Sequence, residues 1–523
     1  MISAVLNQAL FTPLRAMRLK YVPLLMIYFA YGATSISTIG ESFFVKDQLD
    51  FSAEAMMAIA VWYSMPWTIK MVFGQLVDSV PLFGSLRASY VFIAAGMMTV
   101  GSLMLMGLAG HWVWLNELMT PNALYLAASL ITVTGVVVQD VVADATSVEV
   151  VSREGRSEAE IKEELGMVQV LGRLSYVIAS FLTAGIGGWL ATHYSYETIF
   201  GVTLIIPVIS VIGILFVKID LAPLKKVNWV ILGGGLIYAA FVLVIGFSDL
   251  TYKQELIFVV SLAVVIYLLG QLARPFDRAT LKKIILLASV IFIYRAMPSI
   301  GPAMQWWEID DLGFNPSFFG LLAQISTALV VIGMWFFAKP LTEKPIAWIL
   351  VVLSVLGFLL SLPMLGMYYG LHHWTESLWG FGARTIALVD TAVSSPFVQL
   401  SMVPLLTFNA IYAPKGNAAT WFALMASLMN LAITASHLMT KALNQVWVVT
   451  RAVHDAAGVV IVQADYSQLG KLMWTSILLN LIVPIAAVAI LLGREGFRSN
   501  GRVPLKEPEK PELSLLSEEV SPT

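Results

Sequence analysis

The sequence predicts an all-α, polytopic membrane protein with two six-helix halves and an inserted pair of helices. Three observations lead to this fold class. Of the 523 residues, 58% are hydrophobic and only 12% are charged. Many apolar stretches reach the length of about 20 residues that a helix needs to cross a bilayer. No polar linker divides the chain before its tail, so the whole length is expected to form one membrane unit.

Apolar runs separated by polar breaks predict about fourteen spans, in the order six, two, six. They lie at 21–44, 54–76, 88–109, 122–148, 166–190 and 196–217, then 228–247 and 255–273, then 284–305, 317–338, 345–369, 384–411, 417–448 and 468–492. The predicted parts of the chain are a cytoplasmic N-terminal segment at 1–20, a first half at 21–217, an inserted pair with its linkers at 218–283, a second half at 284–492 and a disordered cytoplasmic tail at 493–523. The inserted pair carries three consecutive glycines, Gly233 to Gly235, which indicate close helix contact.

The distribution of lysine and arginine predicts the orientation of these spans, because cytoplasmic loops retain positive charge. With the N-terminus inside, the loops predicted to be cytoplasmic hold most of the 31 lysine and arginine residues. Both termini are therefore predicted to be cytoplasmic, in a protein of the cell (inner) membrane. The first segment lacks a small-residue cleavage site after an apolar core, so the first span is expected to serve as the anchor.

Composition also argues against several classes of function. The net charge of −2 and the lack of basic blocks argue against a nucleic-acid partner. The chain has no cysteine, and its six histidines show no metal-ligand spacing, so no disulfide, metal site or cofactor is predicted. The longest loops carry no catalytic constellation; HHWTE at 372–376 is the nearest to one. A membrane-embedded transferase is the alternative from another class, and the prediction is that the protein is not an enzyme.

Ionisable residues inside the spans are the features that need a functional explanation. A charge at the bilayer centre costs about 2.5–3.5 kcal/mol, so such residues face a cavity or a partner. They are Glu41, Lys70, Asp140, Asp144, Glu149, Arg173, Arg295 and Asp390. The alternative is static internal pairing, for instance of Arg173 with Asp144.

Asp140 and Asp144 are four residues apart, so they share one helix face. Two carboxylates that close raise each other's affinity for protons, which fits a proton site or a cradle for an amino-bearing ring. Lys70 and Glu149, near the predicted cytoplasmic ends of their helices, fit gating or snorkelling better than substrate contact. Asp140, Arg173 and Arg295 lie deeper and are expected to line a cavity.

Aromatic residues near these charges are the next candidates. Tyr31, Tyr176 and Tyr294 lie inside spans and are expected to face the cavity. Tryptophan gathers at membrane interfaces regardless of function. We therefore predict that four tryptophans belong to an aromatic belt at the membrane interface, namely Trp306, Trp307, Trp447 and Trp474.

Two six-span halves predict a duplicated transporter with its substrate site near the midplane, between the halves. The sequence gives only weak support for this duplication. VVVQDVVADATSVE, with Asp140 and Asp144, stands in the fourth span of the first half, and IALVDTAVSSP, with Asp390, stands in the fourth span of the second.

The turn after the second span carries a family resemblance. Gly74-x-x-x-Asp78, followed by Gly84 and Arg87, resembles the loop signature of the major facilitator superfamily, in which this turn latches the cytoplasmic gate. The longer form PW-x-x-K…G-x-x-x-DSVPLFG, at 66–84, resembles the folate-biopterin transporter family within it. Further similar segments lie at 28–52, 140–149, 311–320 and 390–430. The resemblance covers most of both halves and implies a major facilitator-type fold.

Two features depart from that family. Arg87 stands alone in SLRAS, where the family carries several basic residues, and family members generally have twelve spans. The inserted pair and the segment VVQDVVADA also resemble muropeptide permeases of the same superfamily, which have fourteen spans. A permease of that type is the alternative function.

The resemblance implies a secondary active transporter that carries a folate or pterin-like organic anion by alternating access. A carboxylate can pair with the amino-pyrimidine edge of a pterin, an aromatic face can stack on the ring, and a basic group can hold a glutamate tail. The residues predicted to bind substrate are Asp140, Asp144, Arg173, Arg295, Tyr176, Tyr294 and Asp390. Those predicted to serve gating or coupling are Glu41, Lys70, Gly74, Asp78, Arg87 and Glu149.

Energetics predict a coupled cation. A dianion that enters against 100 mV faces about 2.3 kcal/mol per charge. The buried carboxylates make proton symport the preferred hypothesis, with sodium as the alternative coupling ion. The predicted partners are therefore a small-molecule substrate, protons and the lipid bilayer.

Overall fold

The computed structural model describes Arg15, Gly496 and the chain from 17 to 493, apart from gaps at 50, 153–154, 217–226, 228, 247, 249, 275, 343, 403, 405–407, 409–411, 413–417 and 455–459. Almost all of the predicted disordered tail, and most of the predicted N-terminal segment, lie outside the described residues.

The described α-helices are numbered here in chain order. They are α1 Val22–Ala33, α2 Ser35–Gln48, α3 Ala53–Thr68, α4 Lys70–Ser79, α5 Ala88–Ala109, α6 Val113–Leu118, α7 Pro121–Glu149, α8 Glu158–His193, α9 Tyr196–Val202, α10 Ile205–Phe216, α11 Trp229–Gly246, α12 Lys253–Leu272, α13 Arg278–Arg295, α14 Pro302–Asp310, α15 Pro316–Thr342, α16 Ile346–Tyr368, α17 Leu371–Trp379, α18 Ala383–Val398, α19 Ala418–Val446 and α20 Leu469–Ala487. Short 3₁₀ turns lie at Leu19–Tyr21 and Gln399–Ser401, and a π-helical turn at Val488–Leu492 extends α20.

A two-stranded antiparallel hairpin, β1 Val453–His454 and β2 Val460–Val462, lies in the loop before α20. The sequence gives no sign of this hairpin, because strands of two and three residues are too short to show alternation.

Ten helices of the described chain are long and apolar enough to cross a membrane, with lengths between 19 and 31 residues. Four predicted spans are missing from these ten, namely 54–76, 228–247, 284–305 and 384–411. The helix at Ile231–Gly246 is apolar but shorter. The total of fourteen therefore stays a prediction.

Two of the missing spans are helices that the structure breaks. Proline has no amide hydrogen for the carbonyl four residues earlier, and Pro66 lies in the last turn of α3, just before Ile69 leaves helical geometry. Between α13 and α14 the chain unwinds at Pro298 and turns at Gly301, whose φ is +79°. Side chains satisfy the freed carbonyl of Pro298, which accepts hydrogen bonds from Ser476 Oγ at 2.9 Å and Asn480 Nδ2 at 2.7 Å. Unwound backbone at membrane depth needs such partners.

The helices before α11 and those after α12 each pack among themselves. In the first group α5 packs on α7, and α8 packs on α1 and α2; in the second, α15 packs on α18 and α16 on α20. The most extensive contacts between the groups are α8 against α15 and α3 against α19. Because α3 and α8 both carry side chains of the candidate site, these two contacts set its position.

The contact of α8 with α15 depends on glycines. A Cβ on Gly188 would lie 2.6 Å from the Pro316 carbonyl oxygen and 2.7 Å from Gly320 Cα, and one on Gly320 would lie 3.0 Å from Gly188 Cα. Backbone therefore touches backbone at this glycine seam, defined by Gly188 and Gly320. Small residues allow such close approach of helices in a membrane.

Replacement of Gly188 by leucine should prevent correct packing of α8 on α15, because the atoms in its way belong to the backbone. We expect a loss of about 3 kcal/mol or more of stability. The amount of monodisperse protein extracted in detergent measures it. Gly96→Leu is the matched control, since a Cβ there meets no atom within 4 Å. Equal yields of the two variants would contradict the prediction.

The structure corrects two predictions about packing. Trp306 and Trp307 are only 4% and 3% exposed and pack in the core, so their assignment to the interfacial belt is wrong. The chain turns at Gly301, and this turn directs α14 back into the bundle. Of the three consecutive glycines of the inserted pair, only Gly235 makes a close approach, to Val72 of α4, whereas a Cβ on Gly233 or on Gly234 would meet nothing within 4 Å.

Candidate functional site

Three neighbouring cavities lead across the bundle from the first group of helices to the second. The first, of about 330 Å³, lies among α1, α2, α3, α5 and α7, the second, of about 410 Å³, lies between the groups, and the third, of about 450 Å³, lies among α13, α16 and α18. Thr38 lines both the first and the second, while Ser394 and Val398 line both the second and the third. A solute in this series of cavities would contact both groups of helices.

Lys70 binds the two carboxylates of α7. Its Nζ lies 2.5 Å from Asp140 Oδ2 and 2.6 Å from Asp144 Oδ2, and the Tyr28 hydroxyl donates to Asp144 Oδ1 at 3.1 Å. As predicted, Asp140 and Asp144 point to one side of α7. Lys70 can reach both because α4 begins at that residue, after the break at Ile69. Lys70, Asp140 and Asp144 therefore form one ion-paired cluster, which we call the Lys70 triad.

Arg173 takes no part in this triad. The alternative of an Arg173–Asp144 pair does not occur, since Lys70 and Tyr28 occupy Asp144. The Arg173 side chain is exposed and its Cζ lies 5.2 Å from the centre of the Tyr176 ring. Its charge thus faces open space beside an aromatic ring.

Replacement of Lys70 by methionine should destabilise the protein, because it leaves two carboxylates one turn apart without a cation. We expect a loss of roughly 2–3 kcal/mol, less than for a fully buried pair because Asp144 is half exposed. The midpoint of thermal unfolding of the purified protein measures it. The triple variant Lys70→Met, Asp140→Asn, Asp144→Asn should recover most of the loss. A triple variant less stable than the single one would contradict this account.

Aromatic rings connect the triad with the first cavity. The rings of Tyr31 and Trp67 stack at 6.0 Å with an interplanar angle of 29°, and Tyr31 also contacts Tyr176 at 5.1 Å. Lys70 Nζ lies 6.0 Å from the Trp67 ring. From the other group of helices, Asn430 Nδ2 donates to the Trp67 carbonyl at 3.3 Å. This band of rings therefore lies where α3 meets α19.

Arg295 lines the third cavity together with Tyr294. Its Nη1 contacts the Met402 sulfur at 3.4 Å, and its Nε is buried with no hydrogen-bond partner among the described residues. Within that part of the chain no carboxylate pairs with it. An unpaired guanidinium in a cavity wall is suited to bind an anionic group.

Asp390 lies apart from the other acidic candidates. It is half-buried on α18, with Glu308 of α14 as a charged neighbour, and Thr391 beside it lines the second cavity. Glu41 lines the first cavity, where its Oε1 accepts a hydrogen bond from the Tyr125 hydroxyl at 2.8 Å.

Of the predicted residues, Tyr31 and Glu41 line the first cavity and Tyr294 and Arg295 line the third. The prediction that Asp140 and Arg173 line a cavity fails for these three cavities, because Asp140 is paired with Lys70 and Arg173 lies beside Tyr176 outside their linings.

Three of the residues predicted for gating meet at one end of the bundle, which we call the Arg87 end. Arg87 is 2% exposed, donates to Asp78 at 2.8 Å and to the Val77 carbonyl, and forms an ion pair with Glu149. Burial acts to lower the pKa of Arg87, but the Glu149 and Asp78 carboxylates outweigh it and raise that pKa. Gly74 takes no part, since a Cβ there would meet nothing within 4 Å.

The opposite end, the Lys46 end, is closed by contacts that the sequence analysis missed. Lys46 is 2% exposed, and its Nζ lies 2.7 Å from Asp310 Oδ1. Asp310 Oδ2 also accepts from the Tyr466 hydroxyl at 2.6 Å, and Arg451 donates to the Leu49 carbonyl. Burial and this bond to Asp310 raise the pKa of Tyr466, so its hydroxyl remains a donor. These contacts join the two groups of helices.

Residues 32–495 of the chain match the model of the BT1 family. The chain is 27% identical over 468 residues to a folate-biopterin transporter of Synechocystis sp.. This match covers 88% of this chain and 81% of that protein. It is 20% identical over 426 residues to folate transporter 1 of Plasmodium falciparum, covering 80% of this chain and 71% of that protein.

Among solved structures, the chain is similar to the peptide transporter POT in complex with sulfate, with a TM-score of 0.59. The two are 15% identical, and the superposition covers 91% of this chain and 94% of that one. This likeness is one of fold.

Proposed function

The chain belongs to the BT1 family, and from that premise we propose that it is a secondary active transporter that moves a folate or pterin-like organic anion by alternating access, coupled to protons. It is an integral, multi-pass membrane protein that transports a small molecule, and it is not an enzyme. The substrate, the mechanism and the coupling ion are the parts that we propose.

The observation that carries the proposal is the unpaired guanidinium of Arg295 in the third cavity. The Arg295 side chain is half-buried, and its Nε is buried without a hydrogen-bond partner among the described residues, so an anionic substrate in the cavity would supply that partner. Arg173, exposed beside Tyr176, offers a second cation to the same substrate. The names of the Synechocystis and Plasmodium relatives support folate as the anion's class.

We propose that the helices before α11 and after α12 are the two six-helix halves, with α11 and α12 as the inserted pair. The contacts of α8 with α15 and of α3 with α19 would then form the interface on which the halves rock. Closure at the Lys46 end would correspond to one state of the cycle. We propose that the Arg87 end faces the cytoplasm, in the cell (inner) membrane. The excess of lysine and arginine in the predicted cytoplasmic loops supports this orientation.

Proton coupling fits the charge of the Lys70 triad. Two carboxylates share one lysine, so the cluster carries a net charge of about −1 with all groups ionised, and one proton would neutralise it. A coupled cation is also what uptake of a dianion requires against an inside-negative potential. Sodium is the competing coupling ion.

The inserted pair favours a muropeptide-type permease as the second candidate function, and one experiment separates the two. Purified protein in vesicles should take up labelled folate or biopterin, faster with an inward proton gradient, and a protonophore should abolish the acceleration. Uptake of a muropeptide without uptake of any pterin would favour the second candidate. The proposed proton coupling would be overturned if the rate of folate uptake rose with an inward sodium gradient and were unchanged by the protonophore.

A further inference from the structure

We propose that Glu41 and the first cavity bind the amino-pyrimidine edge of the substrate ring, an assignment that rests on the proposed function. On the sequence alone, Asp140 or Asp144 is expected to have this role. The structure instead pairs both carboxylates with the Lys70 cation, and neither lines the first cavity.

Glu41 is the acidic residue that lines the first cavity. Its one hydrogen bond to the described residues comes from the neutral Tyr125 hydroxyl, and no cation of that part of the chain pairs with it. A carboxylate in this position retains acceptor sites that face the cavity. An aminopyrimidine presents a ring N–H and an amino group side by side, which can donate to both oxygens of one carboxylate.

Two further polar groups point into the same space. The Tyr63 and Ser129 hydroxyls line the cavity and are buried. They lie close enough to interact with each other, and Tyr63 also with Tyr125, although none of these contacts has good hydrogen-bond geometry. Hydroxyls placed in this way can rotate to bond a ring or water in the cavity. Around a flat ring they would serve the heteroatoms next to the edge that Glu41 binds.

The size and the aromatic walls of the cavity fit a ring better than a whole folate. Its volume of about 330 Å³ is at the lower end for ligand pockets, enough for a small bicyclic ring. Tyr31 and Trp67 form part of the lining and present flat faces. The rest of the substrate would extend through the second cavity, past Thr38.

This placement gives the substrate a direction. The ring would lie at Glu41 in the first group of helices, and an acidic tail would lie at Arg295 in the second group, since the cavities between them share lining residues. Within the described residues Glu41 pairs with no cation and Arg295 with no carboxylate, which matches a molecule with a donor edge at one end and an anionic tail at the other. Such a molecule would connect the two groups of helices.

The test measures binding to the purified full chain in detergent. The probes are biopterin, folate, p-aminobenzoylglutamate as the tail without the ring, and a lumazine, in which oxygen replaces the ring amino group. For Glu41→Gln we expect biopterin and folate to bind about 10- to 100-fold more weakly, with the tail fragment unchanged. The parent should prefer biopterin over the lumazine, and the variant should lose that preference.

Glu308→Gln is the matched control, because Glu308 is another half-buried glutamate and lines none of the three cavities. It should bind all probes like the parent. Tyr125→Phe, which removes the donor to Glu41 and keeps the ring, serves as a second variant if Glu41→Gln fails to fold, and should weaken biopterin binding several-fold.

Each other result decides against the assignment. Two results would overturn the assignment of Glu41: biopterin binding that is unchanged in Glu41→Gln, or a loss of affinity for the tail fragment equal to the loss for biopterin. In either case, folate binding by the parent would still support the proposed function. A variant that keeps its ring preference and loses only the pH dependence of transport would make Glu41 a proton site. A parent that binds neither biopterin nor folate would overturn the proposed function and this assignment together.

Discussion

Replacement of Arg295 by alanine is expected to reduce folate uptake by about 100-fold or more at equal abundance in the membrane. Loss of one partner from a desolvated, charged hydrogen-bonded pair typically costs about 2–5 kcal/mol. Among the described residues Arg295 contacts the Met402 sulfur and pairs with no carboxylate, so no acidic group of that part of the chain would lose its partner in the variant. The loss should therefore fall on substrate binding, with the midpoint of thermal unfolding unchanged or raised.

Two variants make this expectation specific. Arg295→Lys should keep part of the activity, because lysine retains the charge without the planar fork of donors. Arg384→Ala should transport like the parent, since Arg384 is exposed and contacts only the Phe318 ring and the Gly313 carbonyl among the described residues. Folate uptake that survives Arg295→Ala at the parental rate would show that the third cavity does not hold the anion.

Replacement of Lys46 by methionine is expected to open the Lys46 end. Removal of one partner from a buried ion pair costs about 3–5 kcal/mol, enough to shift a closed-to-open equilibrium by more than about 100-fold. The chain has no cysteine, so one introduced thiol can be labelled without background. Ala303, which is fully buried near this end, is a suitable position.

The measurement is the rate at which a membrane-impermeant maleimide labels Ala303→Cys, with and without Lys46→Met. We expect faster labelling in the presence of Lys46→Met. Adding Asp310→Asn should partly restore slow labelling, because it removes the unpaired carboxylate that Lys46→Met leaves behind. Identical labelling rates in all three backgrounds would mean that the Lys46–Asp310 pair does not hold the two groups of helices together.

Helix periodicity predicts which residues share a helix face, and the structure agrees where that is sufficient. Asp140 and Asp144 point together because they are four residues apart on one helix. The same reasoning cannot find Lys70 as their partner, since the two helices meet only in three dimensions. The resemblance assigns Asp78 and Arg87 to the gate, whereas Glu149 is assigned to gating from its place near the end of its span. Neither assignment predicts that Glu149 pairs with Arg87, since that contact also forms only in three dimensions.

Other features were missed for identifiable physical reasons. Lys46 and Asp310 each look like an ordinary charge at the end of a span, and nothing local relates two residues so far apart in the chain. Trp306 and Trp307 resemble belt residues until the turn at Gly301 is known. The breaks at Ile69 and Pro298 do have a local signal, because proline lies near both. Hydropathy alone misses them, since the apolar run continues across each break and predicts one unbroken span.

The glycine seam of α8 and α15 has a consequence for any rocking motion of the bundle. At Gly188 and Gly320 main chain lies directly on main chain, so no large side chains interlock at that point, and the contacts on either side include hydrogen bonds of Ser317 and Gln324. Such a point can act as a fulcrum, with displacement growing toward both ends of the bundle. A covalent tether between α8 and α15 near Gly188 should therefore be tolerated during turnover, whereas a tether between Lys46 and Asp310 should arrest it.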